Sequence, residues 1–359
     1  MIRAAALVCL LVTPVLAAQS PGQGYRVGVV SESADIVTWL RPTAGGLAVD
    51  HVVPVGLMPT DIDGPHNIAV ARDGLSYYVT VAHGTPYGSL WKLAAASDSV
   101  LGRAPVELFP TTIGLTPDGL YAFVANSDFH GDHPRTNVVS VVHTPAMTRI
   151  TDIPACDMPH GVKVNHAGTR VYVSCMHSDE ILEIDVGTLK VLRRAPAGAA
   201  HSMADMASAG CAPTFVSVSP DDRRLYVACN TGNTLQVWNA ASLAREAEVP
   251  VGHGAYNVEP SPDGKVVIVT NKKDQSVSLV DATSLAELAR IPTSKKVVHG
   301  VAYSPDGRYA YISCESVGAD PGAVDVIDLP ARKHVGSVAV PGQPTGIAIR
   351  MLHPDSSTH

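Results

Sequence analysis

One short motif recurs along this chain at intervals of 42 to 54 residues. Its clearest copy is Ser261-Pro-Asp-Gly264, which is followed by the β-branched run Val266–Asn271 and by a third run, Ser276–Asp281. An Asp-Gly pair between two such runs predicts a tight hairpin, because glycine adopts positive φ without a steric cost. The copy at Asp221-Asp222 lacks the glycine, and aspartate tolerates the same left-handed geometry. Self-similarity at this period is typical of the four-stranded blades of a propeller.

Six copies of the turn predict six blades, and the two ends of the chain supply a seventh. The C-terminal run Pro344–Arg350 has the pattern of an inner strand, and three N-terminal runs within residues 25–53 lack an inner partner. Pairing of the two ends would complete a blade and remove the open edge of an incomplete ring. We therefore predict an all-β, seven-bladed propeller that forms a single domain over residues 25–350.

The run from Ser261 to Asp281 resembles the YVTN-repeat family of seven-bladed propellers, which includes YncE-like periplasmic proteins. The resemblance extends over nearly all of the chain after its N-terminal leader, and it implies a bacterial periplasmic or surface protein. More distantly, the repeats are similar to the copper domain of nitrous oxide reductase and to haem d1 propeller domains. Propellers carry many unrelated activities, so the resemblance specifies the fold better than the function.

The first 18 residues predict a secretory signal peptide. A basic residue, Arg3, precedes an apolar run from Ala4 to Val12 and a small-residue end at residues 15–18. The apolar run is too short to span a bilayer, and no other stretch approaches that length. We therefore expect a periplasmic or secreted protein without an integral membrane span. Residues 351–359 are expected to form a disordered tail.

The distribution of charge limits which kinds of molecule this protein is expected to bind. The formal net charge is -7, and the chain has no basic stripe, since Lys272-Lys273 and Lys295-Lys296 are isolated pairs. This argues against nucleic acid as a partner. A small ligand or a protein partner at the channel mouth remains open.

The repeat also predicts which side chains converge. The residue six positions before each turn starts an inner strand, and in a propeller all of these starts surround one mouth of the central channel. The residues at this position are His66, Thr111, His160, Thr214, Tyr256, His299 and Thr345. Nearby second-strand ends and loops add His83, His130 and His177. From these residues we predict two kinds of site. The candidate metal ligands are His66, His83, His130, His160 and His177. The candidate cofactor-binding residues are Tyr256 and His299.

The donor types at this mouth favour a metal. Imidazole, thiolate and thioether ligands together suit copper best, with haem iron or zinc as alternatives. The competing interpretation is that histidines at strand ends bind only water or backbone carbonyls.

The cysteines allow two interpretations. Cys156 with Cys175, and Cys211 with Cys229, are separated by 19 and 18 residues and repeat one arrangement in two blades. In an oxidising compartment this predicts two intrablade disulfides, each contributing about 2–4 kcal/mol. Alternatively, Cys175, Cys229 and Cys314 are metal thiolates, because all three end second strands.

Three functions remain open, and none assigns a catalytic residue. The first is an exported, non-enzymatic propeller that binds a metal, a cofactor or a protein partner at the mouth rich in His, Cys and Met. The second is a copper- or haem-linked redox or cofactor-assembly protein. The third is a lactonase-like hydrolase with an axial divalent ion, for which Glu32, Asp132 and Glu315 would be the oxygen ligands. The chain shows no nucleophile elbow, P-loop or dinucleotide fingerprint, so we favour a non-enzymatic protein.

Overall fold

The computed structural model describes residues 24–57, 62–83, 88–129, 135–198, 210–316 and 320–352. Within these ranges the chain forms seven four-stranded antiparallel sheets. The innermost strand of each sheet contacts the innermost strands of both neighbours, so the sheets form a closed circle. The predicted all-β, seven-bladed propeller of four-stranded blades is confirmed. The predicted signal peptide and most of the predicted C-terminal tail lie outside the described residues.

Blades one to three each run from the inner to the outer strand in chain order. Blade one contains β4 (Pro65–Val70), β5 (Ser76–Val81), β6 (Ser89–Ala94) and β7 (Val100–Pro105); blade two contains β8 (Pro110–Leu115), β9 (Tyr121–Asn126), β10 (Val138–His143) and β11 (Thr148–Pro154); blade three contains β12 (Pro159–Val164), β13 (Arg170–Cys175), β14 (Glu180–Asp185) and β15 (Lys190–Pro196).

Blades four to six repeat the same order. Blade four contains β16 (Pro213–Val218), β17 (Arg224–Cys229), β18 (Thr234–Asn239) and β19 (Ala244–Pro250); blade five contains β20 (Ala255–Pro260), β21 (Val266–Asn271), β22 (Ser276–Asp281) and β23 (Glu287–Pro292); blade six contains β24 (Val297–Tyr303), β25 (Tyr309–Glu315), β26 (Gly322–Asp328) and β27 (Lys333–Val340).

Blade seven joins the two ends of the described chain. Its strands, from inside to outside, are β28 (Pro344–Met351), β1 (Tyr25–Ser31), β2 (Ile36–Thr43) and β3 (Gly46–Pro54). Strand β28 pairs antiparallel with β1, with Val27 opposite Ile349. A turn of 3-10 helix, Glu32–Ala34, connects β1 to β2 and brings Glu32 to the inner end of the blade. Strand β28 extends one residue beyond the predicted domain end.

The repeated turn is built as its sequence predicts. Ser261 Oγ donates to Asp263 Oδ1 at 2.7 Å and accepts from the backbone N–H of Val266 at 3.0 Å. Gly264 lies at a φ of +70°. In the copy without glycine, Asp222 adopts a φ of 58°, which confirms that aspartate accepts the left-handed position. The turn therefore keeps its geometry where its sequence changes.

The hydrophobic core is divided among the interfaces between neighbouring blades. Trp39 of blade seven meets Tyr77 of blade one edge to face, with ring centroids 5.2 Å apart. Trp238 lies in a cluster shared by blades three and four. Because each blade is covered on both faces, a second strand such as β13 is buried almost throughout. Among the described residues, no helix is both long enough and apolar enough to cross a membrane.

Candidate functional site

The structure gathers the predicted strand-start residues around one end of the central channel. We call His66, Thr111, His160, Thr214, Tyr256, His299 and Thr345 the ring, and all seven are buried. The His66 ring centroid lies 5.5 Å from that of His299 and 6.5 Å from that of His160. Tyr256 lies between His160 and His299, at 5.6 Å and 4.7 Å. Four of the candidate site residues are thus brought together.

Four ring side chains hold neighbouring blades together. Each donates a hydrogen bond to the backbone carbonyl of the next ring residue: Thr111 to His160 at 2.9 Å, His160 Nδ1 to Thr214 at 2.9 Å, Thr345 to His66 at 2.8 Å, and Thr214 to Tyr256. His160 Nε2 lies 3.2 Å from the Tyr256 hydroxyl, which donates to it when the imidazole is neutral. Both nitrogens of His160 therefore have a structural partner.

Burial keeps the His160 imidazole neutral. It lowers the pKa of His160 to about 3, and the nearby charges of His66 and Lys272 act in the same direction, while the Thr214 carbonyl opposes them. For this histidine the structure supports the bond to a backbone carbonyl that was the competing interpretation of the sequence. His160 is a poor candidate for a metal ligand.

His66 has a different environment at the equivalent position of blade one. Its Nδ1 lies 2.8 Å from Glu32 Oε2, and the other carboxylate oxygen lies 3.2 Å from His83 Nε2. A carboxylate only accepts hydrogen bonds, so in the neutral imidazole the proton is on Nδ1 and the lone pair on Nε2. This Nε2 is buried and has no hydrogen-bond partner among the described residues.

The carboxylate that orients His66 stays ionised. Burial alone would raise the pKa of Glu32, but the charges and hydrogen bonds of His66 and His83 outweigh it and bring the pKa to about 2. In return, the hydrogen bond from Glu32 raises the pKa of His83, against its partial burial. His83 is half exposed and contacts Glu32 at the edge of the ring, outside the centre where the other imidazoles meet.

His299 contributes a second neutral imidazole. Neither of its ring nitrogens makes a hydrogen bond of ordinary geometry within the part of the chain that the structure describes, although the Thr345 backbone has a small effect on its pKa. Burial, followed by the charge of Lys272, lowers the pKa of His299 well below its usual range. Glu315 Oε1 lies 3.9 Å from His299 Nε2 and 3.2 Å from Lys272 Nζ, and this ammonium stands 4.1 Å from the centre of the Tyr256 ring.

Phenylalanine side chains border the imidazoles. Phe109 lies 5.4 Å from His66, Phe215 lies 5.2 Å from His160, and Phe129 lies 4.9 Å from Phe109. The sequence interpretation overlooked these residues. The sequence offered one clue to them, because the chain has only four phenylalanines and three of these are at this mouth.

Two other histidine predictions have different outcomes. Arg135 Nη1 donates to His177 Nδ1 at 2.8 Å, and Arg135 also pairs with Asp157 at 3.2 Å. Because a guanidinium always keeps its protons, it occupies that lone pair of His177 and places a positive charge beside it. We therefore remove His177 from the candidate ligands. His130 and Asp132 lie outside the described residues.

The disulfide interpretation of the cysteines is confirmed. Cys156 is bonded to Cys175, and Cys211 to Cys229. The alternative in which Cys175 and Cys229 are metal thiolates is wrong, because a disulfide sulfur has no thiolate charge to donate. Cys314 is free and buried. Burial, followed by the charge of Asp325 with its oxygen 3.6 Å from the sulfur, raises the pKa of the Cys314 thiol well above its usual value.

The loss of two thiolates weakens the preference for copper. Within the described ranges, one group of three donors has ligand atoms close enough to share an ion, namely Cys156, Cys175 and Glu180. The disulfide removes both of its sulfurs. The ring imidazoles are neighbours, but they do not form a preassembled three-donor site. Two disulfides are consistent with an oxidising, non-cytoplasmic compartment.

Comparison with protein-family models gives a match to the C-terminal part of the propeller. A family model of the cytochrome D1 haem domain matches residues 268–352. That segment runs from β21 to the end of β28 and contains Lys272, His299 and Glu315. Over this segment the chain is similar to the cytochrome D1 haem domain. The distant propeller resemblance inferred from the repeats is confirmed.

Solved structures agree on the architecture. Hydrazine synthase of Kuenenia stuttgartiensis is 21% identical with a TM-score of 0.67, and the match covers 84% of this chain and 94% of that one. A functionally unknown protein from Desulfotomaculum acetoxidans is 14% identical with a TM-score of 0.73, covering 92% and 99%. A putative 6-phosphogluconolactonase from Bacteroides uniformis is 13% identical with a TM-score of 0.71, covering 91% and 99%. At these identities the comparison establishes the fold alone.

Proposed function

We propose that this protein is an exported propeller that binds a metal-centred macrocycle of the haem type at the ring, with His66 as its protein ligand. The observation that carries the proposal is the environment of His66, with Nδ1 held by Glu32 and a buried Nε2 that has no partner among the described residues. Metal-ligating histidines almost always donate their other ring N–H to a carboxylate or a carbonyl. Glu32 would orient the imidazole and increase its basicity.

The ring suits a metal held in a macrocycle better than a bare ion. A structural zinc site needs about four converging protein ligands. The ring imidazoles are not close enough to share an ion, and the disulfides remove the cysteine sulfurs. Haem iron already has its equatorial ligands and needs only an axial residue such as histidine. Two buried imidazoles, His66 and His299, have ring nitrogens without a partner among the described residues, and three phenylalanines lie at the same mouth, which fits that requirement.

The proposal concerns binding, and it assigns no reaction. When bound, a haem would supply a redox-active iron. His66 would hold the iron, Glu32 would orient His66, and the phenylalanine rings would pack against apolar parts of the macrocycle. The hydrolase alternative has less support, because both oxygens of Glu32 are already engaged by imidazoles.

Haemin is the probe that tests this proposal. We expect the purified protein to bind it stoichiometrically with a Soret band typical of histidine ligation, and His66→Ala to lose that band. His166→Ala is the matched control, because His166 pairs with Asp222 at the opposite end of the channel, and it should bind like the wild type. Absence of binding by the wild type, or equal binding by His66→Ala, would contradict the proposal. Recovery of the chain from the periplasm with its leader removed would test export.

A further inference from the structure

The central channel contains a polar chamber on the side of the ring away from the His66 mouth. It has a volume of about 600 Å³ and opens at the end of the propeller where His166, Pro220 and Pro262 lie. Phe215 lines it and also contacts His160, so the ring closes its inner end. Ligand sites for small molecules are typically about 300–1,000 Å³. We call this space the chamber.

The two walls of the chamber differ chemically. The walls differ at the inner-strand position three residues after the ring residue. In blades three, four and five this position holds Lys163, Ser217 and Glu259. In blades six, seven and one it holds Ala302, Ala348 and Ala69. Lys163 Nζ lies 2.7 Å from Glu259 Oε1, and Ser217 Oγ donates to Glu259 Oε2 at 2.8 Å. The wall of blades three to five therefore has a single positive and a single negative group, and the facing wall carries three alanines with Asn67 of blade one beside them.

The polar wall keeps unused hydrogen-bonding capacity. An ammonium has three donors, and a carboxylate has about four lone-pair sites. Lys163 and Glu259 use only part of theirs on one another and on Ser217, and both side chains remain about one-third exposed, at 35% and 29%. Asn257 of the same wall and Asn67 of the facing wall also line the chamber, and their carboxamides make no hydrogen bond to any described residue.

We propose that the chamber binds a small zwitterion with an apolar body, such as an α-amino acid with an aliphatic or aromatic side chain. Its carboxylate would pair with Lys163, its ammonium with Glu259, and its side chain would face the alanine wall. A simple anion that pairs with Lys163 would lie close to the like charge of Glu259, and a simple cation that pairs with Glu259 would lie close to that of Lys163. Because the two protein charges are within about 3 Å of one another, either ligand is disfavoured. Binding in the chamber uses none of the ring residues proposed to hold haem, so the two sites are independent.

Free L-leucine, L-valine and L-phenylalanine are the probes, with binding measured by saturation-transfer NMR and calorimetry on the full chain. We expect at least one to bind saturably with a Kd below about 1 mM. For leucine, two matched analogues each lack one charge: 3-methylbutylamine lacks the carboxylate, and 4-methylpentanoate lacks the ammonium. Each should bind about ten-fold more weakly, as should leucine to Lys163→Met and to Glu259→Gln.

Two further variants keep the test decisive. His66→Ala should bind amino acids like the wild type, so failure of haem binding and failure of this proposal are distinguishable. The double exchange Lys163→Glu with Glu259→Lys retains the ion pair and should retain fold and binding, which separates loss of recognition from loss of structure. No saturable binding by any of the three amino acids would overturn the proposal. Equal binding of the single-charge analogues, or unchanged binding by both single variants, would overturn it too.

Discussion

His66 and His160 occupy equivalent positions in blades one and three, and the protein uses them differently. Both are buried at the start of an inner strand. His160 donates to a backbone carbonyl and faces a tyrosine hydroxyl, so both its nitrogens are engaged. His66 donates to a carboxylate, and its other nitrogen has no partner among the described residues. Strand position decides where each imidazole lies, and the group that faces Nε2 decides whether that nitrogen remains available.

The largest expected effect separates these roles directly. His160→Ala should lower the free energy of unfolding by about 3 kcal/mol, because it leaves a cavity and removes two buried hydrogen bonds. The folded variant should still bind haemin. Urea unfolding and a haemin titration on the same samples measure both quantities. If His160→Ala kept its stability and lost haemin, the two roles would be reversed.

The disulfides reinforce the half of the ring that contains His160. They lie in blades three and four, and Cys175 pairs across the sheet with Pro159, next to His160. The double variant Cys156→Ala with Cys175→Ala should lose about 2–4 kcal/mol of stability and keep its haemin affinity. Cys314→Ala, at the equivalent strand end of blade six, is the control and should lose less. A drop in haemin affinity in the double variant would restore a role for these sulfurs in binding.

Contacts inside one repeat and contacts made by loops or chain ends differ in how far the sequence predicts them. The Ser261 turn, the inner strands and the cysteine pairs were predictable, because each depends on contacts inside one repeat. Glu32 was expected at this mouth as an oxygen ligand of a divalent ion, but its bond to His66 was not predictable, because it depends on the 3-10 turn after β1, which the repeat does not describe. The link between Arg135 and His177 was likewise unpredictable, since Arg135 lies in a loop that the repeat does not describe. A repeat predicts the positions of its residues, and loops and chain ends supply their partners.

A smaller effect should come from Glu32, which acts on the ligand through His66. Loss of a carboxylate that orients a metal-binding histidine typically lowers metal affinity about 10–100-fold. We expect Glu32→Gln to weaken haemin binding within that range and Glu32→Asp to recover part of it. The Soret band of the Glu32→Gln complex should also shift, because the His66 imidazole that would hold the iron becomes less basic. A purely structural role would alter stability and leave the spectrum of the bound form unchanged.

The smallest effect separates the two histidine environments by pH. The pKa of His160 is lowered from 6.5 to about 3, so between these values the unfolded chain binds a proton that the folded chain does not. Stability therefore falls as the solution is acidified through that window, by at most about 1.4 kcal/mol per pH unit for this residue.

The pKa of Glu32 is lowered from 4.5 to about 2, so its stabilisation is complete above 4.5 and is lost as the pH falls through 2. Between about pH 5 and 6.5, His160→Gln should flatten the dependence of unfolding free energy on pH. Glu32→Gln should steepen it, because His83 loses the hydrogen bond that raises its pKa and the folded chain then binds fewer protons in this window. Equal slopes for His160→Gln and the wild type would mean that His160 takes up its proton as readily in the folded chain as in the unfolded chain, and that burial does not hold it neutral.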